Sequence, residues 1–133
     1  MPGKSVKNAY LAGLIDGEGS LYLKLDDGNG VMAQLTIAMC SEETIGWIAE
    51  NFGGRVERVN RVRKENHSQL WRWRVHGAMA AVILKDTIPY MVTKRRLAEL
   101  FVEFVGESYR GWYVPDDFRL VRQEIYEEYL DAR

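Results

Sequence analysis

The hydrophobic period changes from that of a helix to that of a strand within residues 10–20, and this change constrains the fold more than any other feature of the sequence. Before the change, large apolar residues recur at helical spacing: Val6, Tyr10, Leu11, Leu14 and Ile15. After it, leucines alternate with other residues: Leu21, Leu23 and Leu25. These patterns are typical of a helix buried on most sides and of a strand with one buried face. We therefore predict a helix, with Ser5 as its N-cap, that passes into a strand at Gly19.

Small residues interrupt this helix where a core helix would carry large ones. Gly13 and Gly17 cannot fill a core, and a glycine in a helix interior costs about 1 kcal/mol relative to alanine. The close approach of another backbone is the natural reason for Gly13. A second copy of the same helix, packed alongside, is one such backbone.

The carboxylate of Glu18 falls where the predicted helix ends, at the negative pole of the helix dipole, which favours cations. Two packed helices would bring two Glu18 carboxylates close together, and like charges in contact repel. Hard divalent cations would relieve this repulsion and use the oxygens as ligands. The residues alone leave a second interpretation open, in which Glu18 only occupies a helix-to-strand turn.

Composition points to one soluble globular domain over residues 1–133, with no apolar run long enough to span a membrane and no secretory signal. The single cysteine, Cys40, excludes an intrachain disulfide and fits a reducing compartment. We expect Cys40 to be a half-buried strand residue, and the protein to be intracellular (cytoplasm, nucleoid or organelle matrix) and not secreted.

Charge is distributed unevenly, although the net charge is only −1. Residues 55–76 hold seven basic and two acidic residues, whereas residues 107–133 hold seven acidic and four basic residues. Attraction of a nucleic acid depends on the local electrostatic field and not on the net charge of the chain. The first segment can therefore form a basic face while the second covers the opposite surface.

Later segments predict two hairpins and four more helices. We expect strands at 21–25, 32–40, 55–63 and 68–76, with a turn at 26–30. We expect a helix with Ser41 as its N-cap, a helix over 78–84, a helix capped by Thr93, and a helix from Asp116 to Leu130. The fold class is α+β, with an antiparallel four-stranded sheet and helices on one face. In the last strand, Trp71 and Trp73 are expected to face the core, although the opposite register would expose them as stacking surfaces.

The segment Leu11 to Gly19 reads LAGLIDGEG and resembles the signature of the LAGLIDADG homing endonucleases, from which it departs at two of nine positions. The resemblance implies the family's αββαββα fold, here with extra C-terminal helices. One copy of the motif implies a homodimer, with Tyr10, Leu11, Gly13, Leu14 and Gly17 at the helix interface. It also implies cleavage of double-stranded DNA within a long near-palindromic site.

The resemblance further implies catalytic residues. Glu18 and the backbone carbonyl of Gly17 would bind Mg²⁺ or another divalent cation, and Lys94, shortly after Pro89, matches the position of the family's catalytic lysine, with Arg95 as the alternative. Relatives often carry a water-positioning glutamine where this chain has Ser41.

Base and phosphate contacts are expected from one sheet face: Ser20, Tyr22, Lys24, Gln34, Thr36, Arg55, Glu57, Arg72, Arg74 and His76. His67 is expected in an exposed loop, and neither histidine has the spacing of a zinc site.

Two alternatives to the endonuclease stay open. One is an RNA-splicing maturase on the same fold, and the other is a DNA-binding regulator without catalysis. The resemblance implies spread of an intron or intein gene, and the short chain beginning with Met1 favours an intron-encoded or free-standing gene.

Overall fold

Helix α1 (Lys4–Glu18) passes into strand β1 (Gly19–Leu25) with no intervening loop, as the change of period predicts. Gly19 makes this junction possible, because a Cβ atom there would lie 2.7 Å from the carbonyl oxygen of Ile15. Any other residue would push the strand away from the helix that precedes it. The sequence therefore fixes the end of α1 close to the first strand.

The computed structural model describes residues 3–25, 31–59, 68–106 and 116–133. After β1 come β2 (Val31–Met39), α2 (Glu42–Phe52), β3 (Arg55–Arg58), β4 (Trp71–His76), α3 (Gly77–Thr87), a 3-10 turn (Ile88–Tyr90), α4 (Arg95–Gly106) and α5 (Asp116–Ala132). This confirms the predicted order of elements. The predicted turn at 26–30, the end of the predicted strand 55–63, the predicted loop that contains His67, and residues 107–115 lie outside the described residues.

The four strands form one antiparallel sheet in the order β1-β2-β4-β3. Alternate residues along each strand face a layer of helices, and Leu35, Ile37 and Trp73 are fully buried there. Trp71 pairs with Met39 on the same face, which confirms the predicted register and excludes the one with exposed tryptophans. The α+β class with helices on one face is also confirmed.

Helix α2 is positioned at both ends by local chemistry. The hydroxyl of Ser41 accepts a hydrogen bond from the backbone N–H of Thr44, so Ser41 is the N-cap, as predicted. At the other end Gly54 has a φ of +97°, and its Cβ would lie 2.5 Å from Nε1 of Trp73. Trp73 donates that Nε1–H to the carbonyl of Gly53, which ties the helix end to β4.

Helix α5 packs against α4 and covers β1 at the edge of the sheet. The hydroxyl of Tyr129 donates a hydrogen bond of 2.9 Å to the carbonyl of Leu21, so one polar group of the edge strand is satisfied by a helix. The core formed by sheet and helices is continuous, from Leu11 in α1 to Phe101 in α4 and Tyr129 in α5. Within the described ranges, the helices are too short or too polar to cross a membrane.

Several expectations about individual residues are wrong. Gly3, not Ser5, is the N-cap of α1, and Lys94, not Thr93, precedes α4 at the capping position, since the Lys94 carbonyl accepts from Ala98. Cys40 is exposed because β2 ends one residue earlier than predicted. Val6 is 60% exposed, so α1 is not buried on most sides.

Candidate active site and nucleic-acid interface

Polar residues from all four strands align in rows across the sheet face opposite the helices. Residues paired directly in a ladder share a face. One row runs Ser20, Thr36, Arg74 and Arg55, and the next contains Tyr22, Gln34 and His76. Arg72 and Glu57 form a third pair, and Lys24 lies opposite Met32. The structure thus brings every residue that the sequence assigned to DNA contact onto one face.

Glu57 joins two arginines of the neighbouring strand. Its carboxylate oxygens lie 3.4 Å from Nη1 of Arg72 and 3.6 Å from Nη2 of Arg74. All three side chains are half-buried, so these ion pairs are less screened than fully exposed pairs. The Nε of Arg74 is buried without a hydrogen-bond partner among the described residues. Glu57 therefore restricts two cations that would otherwise extend into solvent.

One side of α1 is exposed and carries small or apolar residues. Tyr10, Gly13 and Gly17 are exposed, Leu14 is half-buried, and Val6 continues the same side towards the N-terminus. Their spacing of three and four residues places them on one stripe of the helix. A Cβ atom on Gly13 or on Gly17 would meet nothing within 4 Å. Packing among the described residues therefore does not explain either glycine.

Leu11 does not belong to this stripe. It is 0% exposed and packs in the hydrophobic core beneath α1. Its predicted place in a helix interface is wrong, because a position one residue from Tyr10 on a helix points about 100° away. The other predicted interface residues, Tyr10, Gly13, Leu14 and Gly17, remain accessible at least in part.

Glu18 is the last residue of α1 and is exposed. The exposed stripe leads to it, since Gly17 directly precedes it. Glu18 also adjoins the polar sheet face, because Ser20 in the first row follows two residues later. Its carboxylate and the nearby helix-terminal carbonyls are hard oxygen donors, the kind that Mg²⁺ takes. Within the described ranges, no three His, Cys, Asp or Glu side chains converge to form a metal site in a single copy.

Lys94 binds the backbone on both sides of Glu18. Its ammonium donates to the carbonyl of Ile15 at 3.2 Å and to the carbonyl of Gly19 at 2.6 Å. These bonds use two of the three donors of a lysine ammonium. Lys94 therefore lies beside the end of α1, and its charge also offsets the negative end of the helix dipole.

Asp16, to which the sequence analysis gave no role, connects the same two segments. Its carboxylate accepts the backbone N–H of Val92 at 2.7 Å and that of Lys94 at 2.9 Å. Partial burial raises the pKa of Asp16, but the N–H groups of Lys94 and Val92 outweigh it and hold the pKa below its ordinary value of 3.8. One signal for this role was available: a carboxylate near the negative end of a helix needs donors from elsewhere.

The hydroxyl of Ser41 is engaged in capping the N-terminus of α2. Its hydroxyl accepts from the Thr44 N–H at 3.2 Å and lies 2.8 Å from the Thr44 hydroxyl. Both contacts hold Ser41 at the start of α2. Arg95, the alternative to Lys94, is exposed at the first residue of α4.

No protein-family model matches the sequence, and no curated protein sequence matches it. Solved structures do. The archaeal intron-encoded homing endonuclease I-Vdi141I, complexed with DNA, matches with a TM-score of 0.75 at 18% identity, covering 98% of this chain and 86% of that one. The homing endonuclease I-CvuI, in complex with a DNA target in the presence of 2 mM Mg, matches with a TM-score of 0.74 at 19% identity, covering 96% and 82%.

A longer protein also matches. The LAGLIDADG meganuclease I-AabMI, bound to uncleaved DNA, has a TM-score of 0.64 at 17% identity over 94% of this chain, but the match covers 42% of that protein. In this chain, the LAGLIDGEG segment lies at the junction of α1 and β1. The chain therefore has the fold of the LAGLIDADG homing endonucleases.

Proposed function

We propose that this chain is one protomer of a homodimeric endonuclease that cleaves double-stranded DNA within a long near-palindromic site, with divalent metal ions bound by Glu18. The observation that carries the proposal is the exposed stripe of α1, which ends at Glu18 and adjoins the polar sheet face. A second copy packed on this stripe would bring two carboxylates to the centre of two adjacent polar faces.

The glycines support the second copy. Gly13 and Gly17 lower the intrinsic stability of the helix, and no residue in the described ranges fills the space beside them. Close packing of a partner helix would use the space that both leave open. The match to I-AabMI, which occupies less than half of that protein, also supports two units of this fold. A two-fold axis between the two α1 helices would relate the units and their half-sites.

Glu18 and the carbonyl of Gly17 would hold the metal ions. A divalent ion at this place would lower the pKa of the attacking water and neutralise charge on the leaving oxygen. Exposed at a helix end, Glu18 can approach the carboxylate of a partner without displacing any core side chain.

Lys94 would have two roles, one in positioning Glu18 and one in stabilising charge on the phosphate. Its bonds to the carbonyls of Ile15 and Gly19 hold the peptide segment that carries Glu18. Its remaining donor is available to a phosphate oxygen, where a fixed positive charge stabilises negative charge that develops during the reaction. Asp16 would be a positioning residue, since it holds the backbone at Val92 and Lys94.

The polar sheet face would lie along the major groove. A surface of this kind covers roughly 10 bp, one helical turn, in each half-site. Arginines commonly read guanine, and each good bidentate contact is worth about 1–3 kcal/mol of discrimination. Glu57 favours base reading over phosphate binding at Arg72 and Arg74, because it neutralises part of their charge and limits their reach.

A maturase that binds RNA is the second candidate, and one observation favours it. The Ser41 hydroxyl, at the position where relatives often place a water-positioning glutamine, is engaged at the N-terminus of α2. A protein that only binds its nucleic acid would need no group there.

Cleavage of a randomised double-stranded DNA library in Mg²⁺, followed by sequencing of the cut ends, tests the proposal. We expect the ends to converge on one near-palindrome. Metal-independent enrichment of bound DNA without any cut ends would instead indicate a regulator. Neither cutting nor enrichment, together with specific RNA binding, would indicate the maturase.

A further inference from the structure

A cavity of about 390 Å³ lies in the helical layer, on the far side of the sheet from the polar face. It is formed where the start of α1 meets the ends of α2 and α3, and its walls include Lys4, Lys7, Asn8, Phe52, Ile83 and Asp86. Lys4 and Glu18 are at opposite ends of α1, about 20 Å apart at the helical rise per residue. We propose that this cavity binds a nucleotide, a phosphate ester with an aromatic body.

Asn8 is the first reason to expect a polar occupant. It is only 7% exposed, and its side-chain amide has no hydrogen-bond partner within the described part of the chain. Its amide atoms are not sealed in the interior but open onto the cavity, where an occupant can pair them. The amide offers two donors and one acceptor to whatever occupies the cavity.

The charges around Asn8 select an anion. Lys4 and Lys7 are one turn apart in the first turn of α1, whose N-cap Gly3 has no side chain to satisfy the free N–H groups. A helix N-terminus with lysines beside it suits a phosphate. Asp86 lies 3.9 Å from Nζ of Lys4, so one positive charge remains in excess, and its carboxylate can accept from a sugar hydroxyl.

The volume of the cavity and its apolar wall favour a ligand larger than a phosphate. The volume lies within the roughly 300–1,000 Å³ of sites for small organic ligands and far exceeds the about 30 Å³ that one water occupies. Phe52 and Ile83 give the cavity an apolar side, against which an aromatic base can pack. Phosphate recognition at one side and an apolar wall at the other are together the chemistry of a nucleotide site.

NMR titration of the full chain with AMP tests this site directly, because the side-chain amide of Asn8 gives its own signal. AMP is expected to shift that signal with saturation. Adenosine and inorganic phosphate, each lacking one half of the ligand, are expected to bind about tenfold or more weakly. A 5′-phosphorylated trinucleotide distinguishes between the two sources of such a ligand. If it binds more tightly than AMP, the site takes the ends of nucleic-acid strands. If it binds more weakly than AMP, the site takes free nucleotides.

Two variants complete the experiment. Lys7→Glu is expected to weaken AMP binding by about tenfold or more, since it reverses one charge at the phosphate. Arg133→Glu, the same charge change at the exposed end of the chain, is expected to leave AMP binding unchanged. An Asn8 signal that AMP does not move, or equal weakening by both variants, would overturn the proposal. DNA cleavage by Lys7→Glu should stay at the wild-type level, so this site and the endonuclease proposal can fail separately.

Discussion

At the end of α1, the Asp16 carboxylate binds the backbone of Lys94, and the Lys94 ammonium binds the backbone on either side of Asp16. The Asp16 carboxylate accepts the N–H of Lys94 at 2.9 Å, while the Lys94 ammonium donates to the carbonyls of Ile15 and Gly19. Between these two carbonyls lies Glu18, the residue to which we assign the metal. The N-terminal end of α4 and the C-terminal end of α1 are thus one unit, and a substitution of Asp16 or Lys94 should alter both helix ends.

Asp16→Ala should lower the free energy of unfolding by about 1–2 kcal/mol at pH 7, because two backbone N–H groups lose their charged acceptor. The folded pKa of Asp16 lies below 3.8, so its contribution is present above that value and is lost as the pH falls through the folded pKa. The difference between wild type and variant should therefore shrink below about pH 4. Urea unfolding from pH 7 to pH 3 measures this, with the exposed Asp131→Ala as control. A constant difference across this range would contradict the assignment.

Lys94→Met should reduce the cleavage rate by about 10–100-fold with little change in DNA affinity, because it removes a charge beside the reacting phosphate and two bonds that hold Glu18 in place. Single-turnover cleavage and equilibrium binding on the same duplex separate the two effects. Arg95→Met is the matched control and should cleave normally. The reverse result, with Arg95→Met impaired and Lys94→Met active, would transfer the role to Arg95.

Glu57→Gln should increase affinity for random DNA and reduce discrimination in favour of the target. The change frees Arg72 and Arg74 from their ion pairs and lets them reach phosphates. One added phosphate contact should steepen the dependence of log affinity on log salt by about 1. Binding to target and random duplexes at several salt concentrations measures this. Glu50→Gln, on an exposed side of α2, is the control and should leave both slopes unchanged.

Gly13→Leu should abolish the dimer and leave the protomer folded. The position is open within the chain, so the fold tolerates the side chain, whereas a partner helix in close contact does not. Gly46→Leu is the matched control, because Gly46 is also an exposed helical glycine with open space around it. Sedimentation measures mass, and circular dichroism checks folding. A Gly13→Leu protein that stays dimeric would place the interface elsewhere.

Period and polarity were sufficient to predict the sheet and its two faces. Alternation along β2 and β4 assigned Trp73 to the core and Thr36 and Arg74 to the other face, and the register agrees. Alternation works here because a shift by one residue would expose an entire row of large apolar side chains. Alternation alone could not predict the ion pairs that Glu57 forms with Arg72 and Arg74. It does not indicate which residues of two neighbouring strands lie opposite each other.

Helix ends and single helical positions were harder to predict. Leu11 and Tyr10 are both large and apolar, yet only Leu11 is buried, because apolar character cannot distinguish a core from a surface that awaits a partner. Ser5 has the chemistry of an N-cap, but the helix begins two residues earlier, with Gly3 as its cap. Asp16 was missed because its partners, Val92 and Lys94, are more than seventy residues away in sequence.

The measurement that tests the account most directly is cleavage of the selected DNA site by wild type, Glu18→Gln and Glu103→Gln at equal concentrations, with Mg²⁺ and with EDTA. Glu103→Gln removes an exposed carboxylate of α4 and is the matched control. We expect cleavage by wild type and Glu103→Gln only with Mg²⁺, and a loss of about a hundredfold or more in Glu18→Gln with DNA binding retained. Cleavage by Glu18→Gln at the wild-type rate would contradict the assignment of Glu18 to the metal.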